Sequence, residues 1–120
     1  TKNRYTQLKI MSNKPAIYQF SVTINISNNF PSSLDEVQDF TKKLCQKLEL
    51  NIVTGIHHEF KPSGITLVYI LSQSHIAIHT WPEYNLIHIE IVSCKEINKV
   101  ELENEIKSLF ADGLVSLEIK

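Results

Sequence analysis

The feature that most constrains this chain is an unbroken alternation. From Leu86 to Val92, Ile87, Ile89 and Ile91 fall on one side, and Leu86, His88, Glu90 and Val92 fall on the other. Successive side chains of an extended strand point to opposite faces, so this run predicts a strand with one face against a core. Residues 16–26 repeat the signal, with Phe20, Val22, Ile24 and Ile26 at period two after Ile17. Asn28, Asn29 and Pro31 end that strand. The period then changes: Leu34, Val37, Phe40, Leu44 and Leu48 recur every three or four positions, which predicts an amphipathic helix over 33–50. Ser33 followed by Glu36 supplies a capping box at its start.

Further strands are predicted over 52–60, 65–71 and 75–80. Lys61-Pro62-Ser63-Gly64 forms the first turn between them, because proline fixes one dihedral and glycine permits the next. Trp81-Pro82-Glu83-Tyr84-Asn85 is a tight connection to the 86–92 strand. Asn98 caps a second helix over 99–111, Asp112-Gly113 ends it, and 114–119 is a last strand. The order is strand, helix, four strands, helix, strand. It predicts an α/β (α+β) two-layer sandwich: a mainly antiparallel sheet with two helices on one face. The other face and the open sheet edges predict a homodimer.

A length of 120 residues fits one domain, expected over 16–120. Residues 1–15 are expected to be an N-terminal extension, disordered or tag-derived, with Met11 a candidate start. The net charge of -1 argues against a nucleic-acid or anionic-membrane partner. No apolar run approaches the roughly 20 residues of a membrane span. The two cysteines, Cys45 and Cys94, read as reduced thiols in a cytoplasmic protein.

The chemistry-bearing residues concentrate between Leu71 and Cys94: Ser72, Ser74, His75, His79, Glu83, His88 and Cys94. Alternation puts His75, Ala77 and His79 on one face. An antiparallel return brings Cys94 back toward Ser74. A serine, a histidine and a cysteine are therefore expected to meet, with Glu83 at the intervening turn. A metal centre built from His57, His58, His75 and His79 is disfavoured. His75 and His79 stand some 13 Å apart along a strand, while zinc holds each ligand at about 2 Å. No metal is expected.

The stretch Ser74-His75-Ile76-Ala77-Ile78-His79-Thr80-Trp81-Pro82-Glu83, with Cys94 beyond it and His58-Glu59-Phe60-Lys61-Pro62-Ser63-Gly64 before it, resembles the short prokaryotic S-adenosylmethionine decarboxylases. The resemblance is strong over 51–94 and one of pattern elsewhere. It implies self-cleavage at Gln73–Ser74, conversion of Ser74 to a covalent pyruvoyl cofactor, and decarboxylation of S-adenosylmethionine for spermidine synthesis. It casts His79 as the base that removes the Ser74 α-proton, Thr66 as a hydroxyl that assists processing, and Cys94 as the acid that protonates the product carbon. It also implies that Glu83 grips the ribose hydroxyls and that Phe60 stacks on the adenine. The chain departs from the family's pattern at Gln73 (usually glutamate), Thr66 (often serine), Lys95 (glycine) and at Ile87 and His88 (small residues). Its first strand, Ile17-Tyr18-Gln19-Phe20, lacks the family's usual histidine and acidic residues. Two alternatives stay open: an arginine or ornithine decarboxylase of the same family, and a non-processing member that binds a ligand or regulates an active relative.

Overall fold

The computed structural model describes residues 14–120. The expected extension over 1–15 therefore lies almost wholly outside the described residues. The elements are β1 (Tyr18–Ile26), α1 (Leu34–Lys47), β2 (Ile52–Glu59), β3 (Ile65–Leu71), β4 (Ser74–Trp81), a 3-10 turn (Pro82–Tyr84), β5 (Leu86–Ser93), α2 (Lys99–Leu109) and β6 (Leu114–Ile119). The strands form one six-stranded sheet in the order β2-β3-β4-β5-β1-β6. Every neighbouring pair is antiparallel. The fold is the predicted two-layer sandwich.

Register explains why the alternation was legible. Val22 pairs with Ile89, Ile89 with Ile78, and Ile78 with Leu67, giving one buried apolar row across four strands. Phe20, Ile91, Ile76 and Tyr69 form the row beside it. The helices cover this face. Val37, Phe40, Leu44 and Cys45 of α1 and Leu102 and Ile106 of α2 complete the core. Phe40 meets Phe110 edge-on at 5.1 Å between ring centroids, which ties the two helices together.

Both helices stop short of their predicted ends for the same reason. The capping box of α1 forms as expected, with Ser33 Oγ accepting from Glu36 N and Glu36 Oε1 accepting from Ser33 N, both at 3.1 Å. At the other end Glu49 turns left-handed at φ 57, and Leu50 N bonds back to Cys45 O at 2.8 Å. Leu48 and Leu50 stay buried past the last helical turn, so the apolar period outruns the helix. Phe110 does the same after α2, buried at the cap while Gly113 N and Leu114 N both bond to its carbonyl.

The other sheet face is uncovered. It carries Ile56, Val68, Ile70, Ala77, Leu86 and Val92, interleaved with Thr66, His75, His79, His88 and Glu90. Cys45 is buried, Cys94 is half-buried, and both are free thiols. Burial pushes the Cys45 thiol up to about 12, so it acts as a small apolar core residue. Among the described residues no helix is long and apolar enough to cross a membrane.

The turn from α2 into β6 rests on a close backbone approach. A Cβ on Gly113 would lie 2.1 Å from the Asn28 carbonyl oxygen, and backbone cannot swing aside as a side-chain tip can. Gly113→Ala is expected to lower unfolding free energy by about 1–3 kcal/mol or more, measured by chemical denaturation, as overpacked sites do.

Candidate active site

The sheet places chemistry at both ends of β4. At its start lies the two-residue turn Ser72-Gln73. Ser72 N donates to Asn51 O at 2.8 Å, and Asn51 Nδ2 donates to Ser72 Oγ at 2.7 Å. Asn51 N donates to the Gln73 side-chain oxygen at 3.1 Å. Ser74 then pairs in register with Ser93 of β5. One residue on, Cys94 N donates to the main-chain carbonyl of Gln73 at 2.9 Å. Ser74 and Cys94 thus come to neighbouring strand ends, as expected. Ser74 itself has φ 152, a region that residues with a Cβ seldom enter.

The segment after β5 is held just as closely. Ser93 Oγ is buried, accepts from Lys95 N at 2.9 Å and donates to Lys95 O at 2.8 Å. Lys95 Nζ reaches the end of α1 and donates to Leu48 O and Glu49 O, both at 3.0 Å. A cation suits that position, because the last carbonyls of a helix carry partial negative charge.

At the other end of β4 stands a second group. Thr66 and His79 pair across β3 and β4, with Thr66 Oγ1 3.0 Å from His79 Nδ1. His79 pairs with His88 on β5, ring centroids 6.3 Å apart, and lies 6.1 Å from the Trp81 ring. Burial lowers the His79 pKa below its ordinary 6.5, and charge on His88 lowers it further, against a smaller opposing pull from Glu90. His79 is therefore neutral at neutral pH. A cavity of about 280 Å³ opens here, lined by Phe60, Ser63, Gly64, Thr66, His79 and Trp81 among others. Phe60 is half exposed, with His58 edge-on to it at 4.6 Å. Ser63 Oγ donates to Glu83 Oε2 at 2.9 Å, which holds the Glu83 carboxylate beside the cavity wall.

The expected meeting of serine, histidine and cysteine does not occur within one chain. Ser74 and Cys94 share one end of the sheet; His79, Thr66, Phe60 and Glu83 share the other. Five strand positions separate Ser74 from His79, about 16 Å along β4. A spacing of five puts the two side chains on opposite faces, and extended backbone spreads them along the strand. Asn51, Ser63 and Lys95 were not singled out as site residues, because their partners lie 20 to 47 positions away in sequence and no local period marks such contacts. Among the described residues no group of three or more His, Cys, Asp or Glu side chains could hold a metal ion.

The sequence model of a family described as S-adenosylmethionine decarboxylase matches residues 23–118. The chain belongs to the S-adenosylmethionine decarboxylase family. Its curated relatives include the S-adenosylmethionine decarboxylase proenzyme of Acidithiobacillus ferrooxidans, 36% identical over 91 residues that cover 74% of this chain and 68% of that protein. The proenzyme of Archaeoglobus fulgidus is 37% identical over 65 residues, 54% of this chain and 58% of its own length. That of Clostridium botulinum is 43% identical over 58 residues, 48% of this chain and 50% of its own length. The chain thus spans between about half and about two thirds of the lengths of these relatives. The crystal structure of the adenosylmethionine decarboxylase from Aquifex aeolicus superposes with a TM-score of 0.75 over 89% of this chain and 88% of that one, at 19% identity. That likeness extends the family's fold to β1–β6 and both helices.

The state of His79 is open to direct titration. Its folded pKa lies below the unfolded value, so the unfolded chain binds more protons as pH falls through 6.5, and the group costs stability on the acid side. In an NMR titration the His79 midpoint is expected below 6.5 and is expected to rise in His88→Gln. A midpoint at or above the ordinary value would remove burial as the controlling influence.

Proposed function

We propose that this chain is the precursor of a pyruvoyl-dependent decarboxylase that cuts itself between Gln73 and Ser74 and acts on S-adenosylmethionine, feeding polyamine (spermidine) synthesis. The observation that carries the reading is the Cys94 N–H on the Gln73 carbonyl at 2.9 Å. Attack of the Ser74 hydroxyl on that carbonyl carbon builds negative charge on that same oxygen, and an N–H already aimed at it stabilises the charge without rearrangement. The φ of 152 at Ser74 adds backbone strain of about 1–3 kcal/mol at the residue whose bond is to be broken. The name proenzyme, borne by the curated relatives, is in keeping with a chain that must be processed.

The bonds change in a balanced order. The Ser74 oxygen bonds to the Gln73 carbonyl carbon, the Gln73–Ser74 amide breaks, and the proton passes to the Ser74 nitrogen. A base removes the Ser74 α-proton, and the Cβ–O bond breaks with the Gln73 carboxylate leaving. Water then replaces the nitrogen of the resulting dehydroalanine, and ammonia departs. The residues fit this cofactor: a serine with an accessible upstream carbonyl, a donor on that carbonyl and a nearby thiol. A pyruvoyl group supplies a ketone that takes up the electrons released as carbon dioxide leaves a bound amino acid. Cys94, half-buried at the same strand end, holds the proton to be given back to carbon.

His79 is the base in this reading. It is neutral at neutral pH, and in the tautomer whose Nδ1–H donates to the Thr66 hydroxyl, Nε2 is free to take the proton. The roughly 16 Å between His79 and Ser74 along one strand then requires a second copy. The midpoint of the two residues falls near Ala77, in the middle of the uncovered face. A two-fold axis there lays the Thr66–His79 end of one protomer over the Ser74–Cys94 end of its partner. The apolar residues of that face, Ile56, Ile70 and Trp81, are 72%, 52% and 40% exposed, as an interface awaiting its partner would be. The cavity with Phe60 in its wall and Glu83 at its edge is the proposed adenosine site, one aromatic face for the base and one carboxylate for the ribose hydroxyls.

Two measurements test this. Intact-mass spectrometry under denaturing conditions is expected to give two fragments meeting at Gln73–Ser74. The C-terminal fragment should be lighter than a serine-started chain by the mass of one ammonia, and Ser74→Ala should stay whole. Co-refolding Ser74→Ala with His79→Ala is expected to restore cleavage to the chain that still holds Ser74, although each variant alone stays uncut. A mixture that never cuts would leave the histidine and the serine in separate sites.

A further inference from the structure

We propose that Asn51 and Lys95 form a clamp that holds the Gln73 carbonyl on the Cys94 N–H, and that the clamp sets the rate of self-cleavage. The inference rests on the self-cleavage reading above and concerns two residues with no role in it. They sit on opposite sides of the bond to be cut. Upstream, Asn51 takes hold of the turn at three points: its carbonyl accepts from Ser72 N at 2.8 Å, its amide side chain donates to Ser72 Oγ at 2.7 Å, and its main-chain N–H donates to Gln73 Oε1 at 3.1 Å. Downstream, Lys95 follows the residue whose N–H touches the Gln73 carbonyl, and its ammonium is fixed on Leu48 O and Glu49 O at 3.0 Å each. Leu48 and Glu49 lead through Leu50 directly into Asn51. The contacts therefore close a ring: Asn51 to Gln73, Gln73 to Cys94, Cys94 to Lys95, Lys95 to Glu49 and along the chain to Asn51.

A ring of this kind removes the freedom that the carbonyl–N–H contact would otherwise have. The β3–β4 turn is exposed and short, and β5 has ended at Ser93, so neither element alone fixes the geometry across the gap. The end of α1 does so, because Leu48 and Leu50, 5% exposed each, anchor it in the core. A donor helps an oxyanion only in so far as it is already in place when charge develops. Lys95 is thus a positioning residue acting through Cys94, and Asn51 one acting through Gln73. The side-chain oxygen of Gln73 serves the clamp as a carboxylate would, since an oxygen acceptor facing Asn51 N is all that is used.

The test follows cleavage of the refolded full chain by intact mass, for wild type, Asn51→Ala, Lys95→Met and Lys95→Arg, with thermal midpoints recorded for each. Asn51→Ala and Lys95→Met are expected to slow cleavage about tenfold or more, and Lys95→Arg to stay within about twofold of wild type, since it keeps the charge on the helix end. Once cleavage is complete, Asn51→Ala is expected to decarboxylate at the wild-type rate, because its partners lie on the fragment that ends at Gln73. In a Ser74→Ala background, exchange of the Cys94 amide with deuterium is expected to quicken in both clamp variants. Ile106→Ala on α2, which loosens the core away from the ring, separates the clamp from simple loss of stability. If that variant slows cleavage as much at an equal fall in midpoint, the proposal fails. A wild-type chain that cuts beside clamp variants that cut equally fast sinks the clamp alone; a wild-type chain that never cuts sinks the self-cleavage reading with it.

Discussion

The hydrogen bond from Cys94 N to Gln73 O is one rung past the end of a ladder, and the candidate site depends on it. β4 and β5 pair from Trp81↔Leu86 down to Ser74↔Ser93. Their connecting turn is tight because the 3-10 turn at Pro82–Tyr84 closes through Asn85, left-handed at φ 54. Once that turn sets the register, every pairing down to Ser74↔Ser93 follows and brings the Cys94 N–H beside the Gln73 carbonyl, where the proposed clamp holds it. Insertion of one residue at the turn would shift the register and flip the faces together. The apolar rows Ile87–Ile89–Ile91 and Ile76–Ile78 hold it where it is, since a one-residue slip would turn buried isoleucine side chains to water at about 1.5–3 kcal/mol each.

How much of this was legible depended on whether a feature repeats. The sheet, both helices and the covered face could be read from period alone, because Val22, Ile24 and Ile89 obey the same alternation whatever their partners. The Ser74–Cys94 approach was also legible, as two strands joined by a tight turn must bring their far ends together. Helix ends were less so: Leu48, Leu50 and Phe110 are apolar because they are buried, and burial continues after hydrogen bonding stops. What could not be read was the bond between places distant in sequence. Asn51 with Ser72, Ser63 with Glu83 and Lys95 with Leu48 have no periodic signature, and Lys95 stood out only as a departure from a resemblance.

The separation of Ser74 from His79 was misjudged for a different reason. A spacing of five puts the two side chains on opposite faces as well as about 16 Å apart, and a strand offers adjacency across the ladder, to Leu71 and Ser93 for one residue and to Thr66 and His88 for the other. A helix would have behaved otherwise, since residues four apart on a helix stand within about 6 Å. Strand-borne sites are accordingly assembled from several strands or from several chains.

That consequence bears on the uncovered face. A small sheet with helices on both faces would bury more apolar surface, yet it would seal the Thr66–His79 group and the Ser74–Cys94 end away from each other at their fixed spacing. In the dimer proposed above, a second copy on the uncovered face lets the two ends complete one another, once at each end. The mixed character of the face is in keeping with that proposal. Ile56, Val68 and Ile70 near one edge offer apolar surface, while His75, His79, His88 and Glu90 in the middle strands carry polar atoms that burial alone would penalise. His75 Nε2 and Glu90 Oε1 stand 3.7 Å apart on this face. Burial holds the His79 pKa below its ordinary value, which favours the neutral form that the proposed base requires. In the proposed dimer one depressed pKa would serve association and proton transfer together.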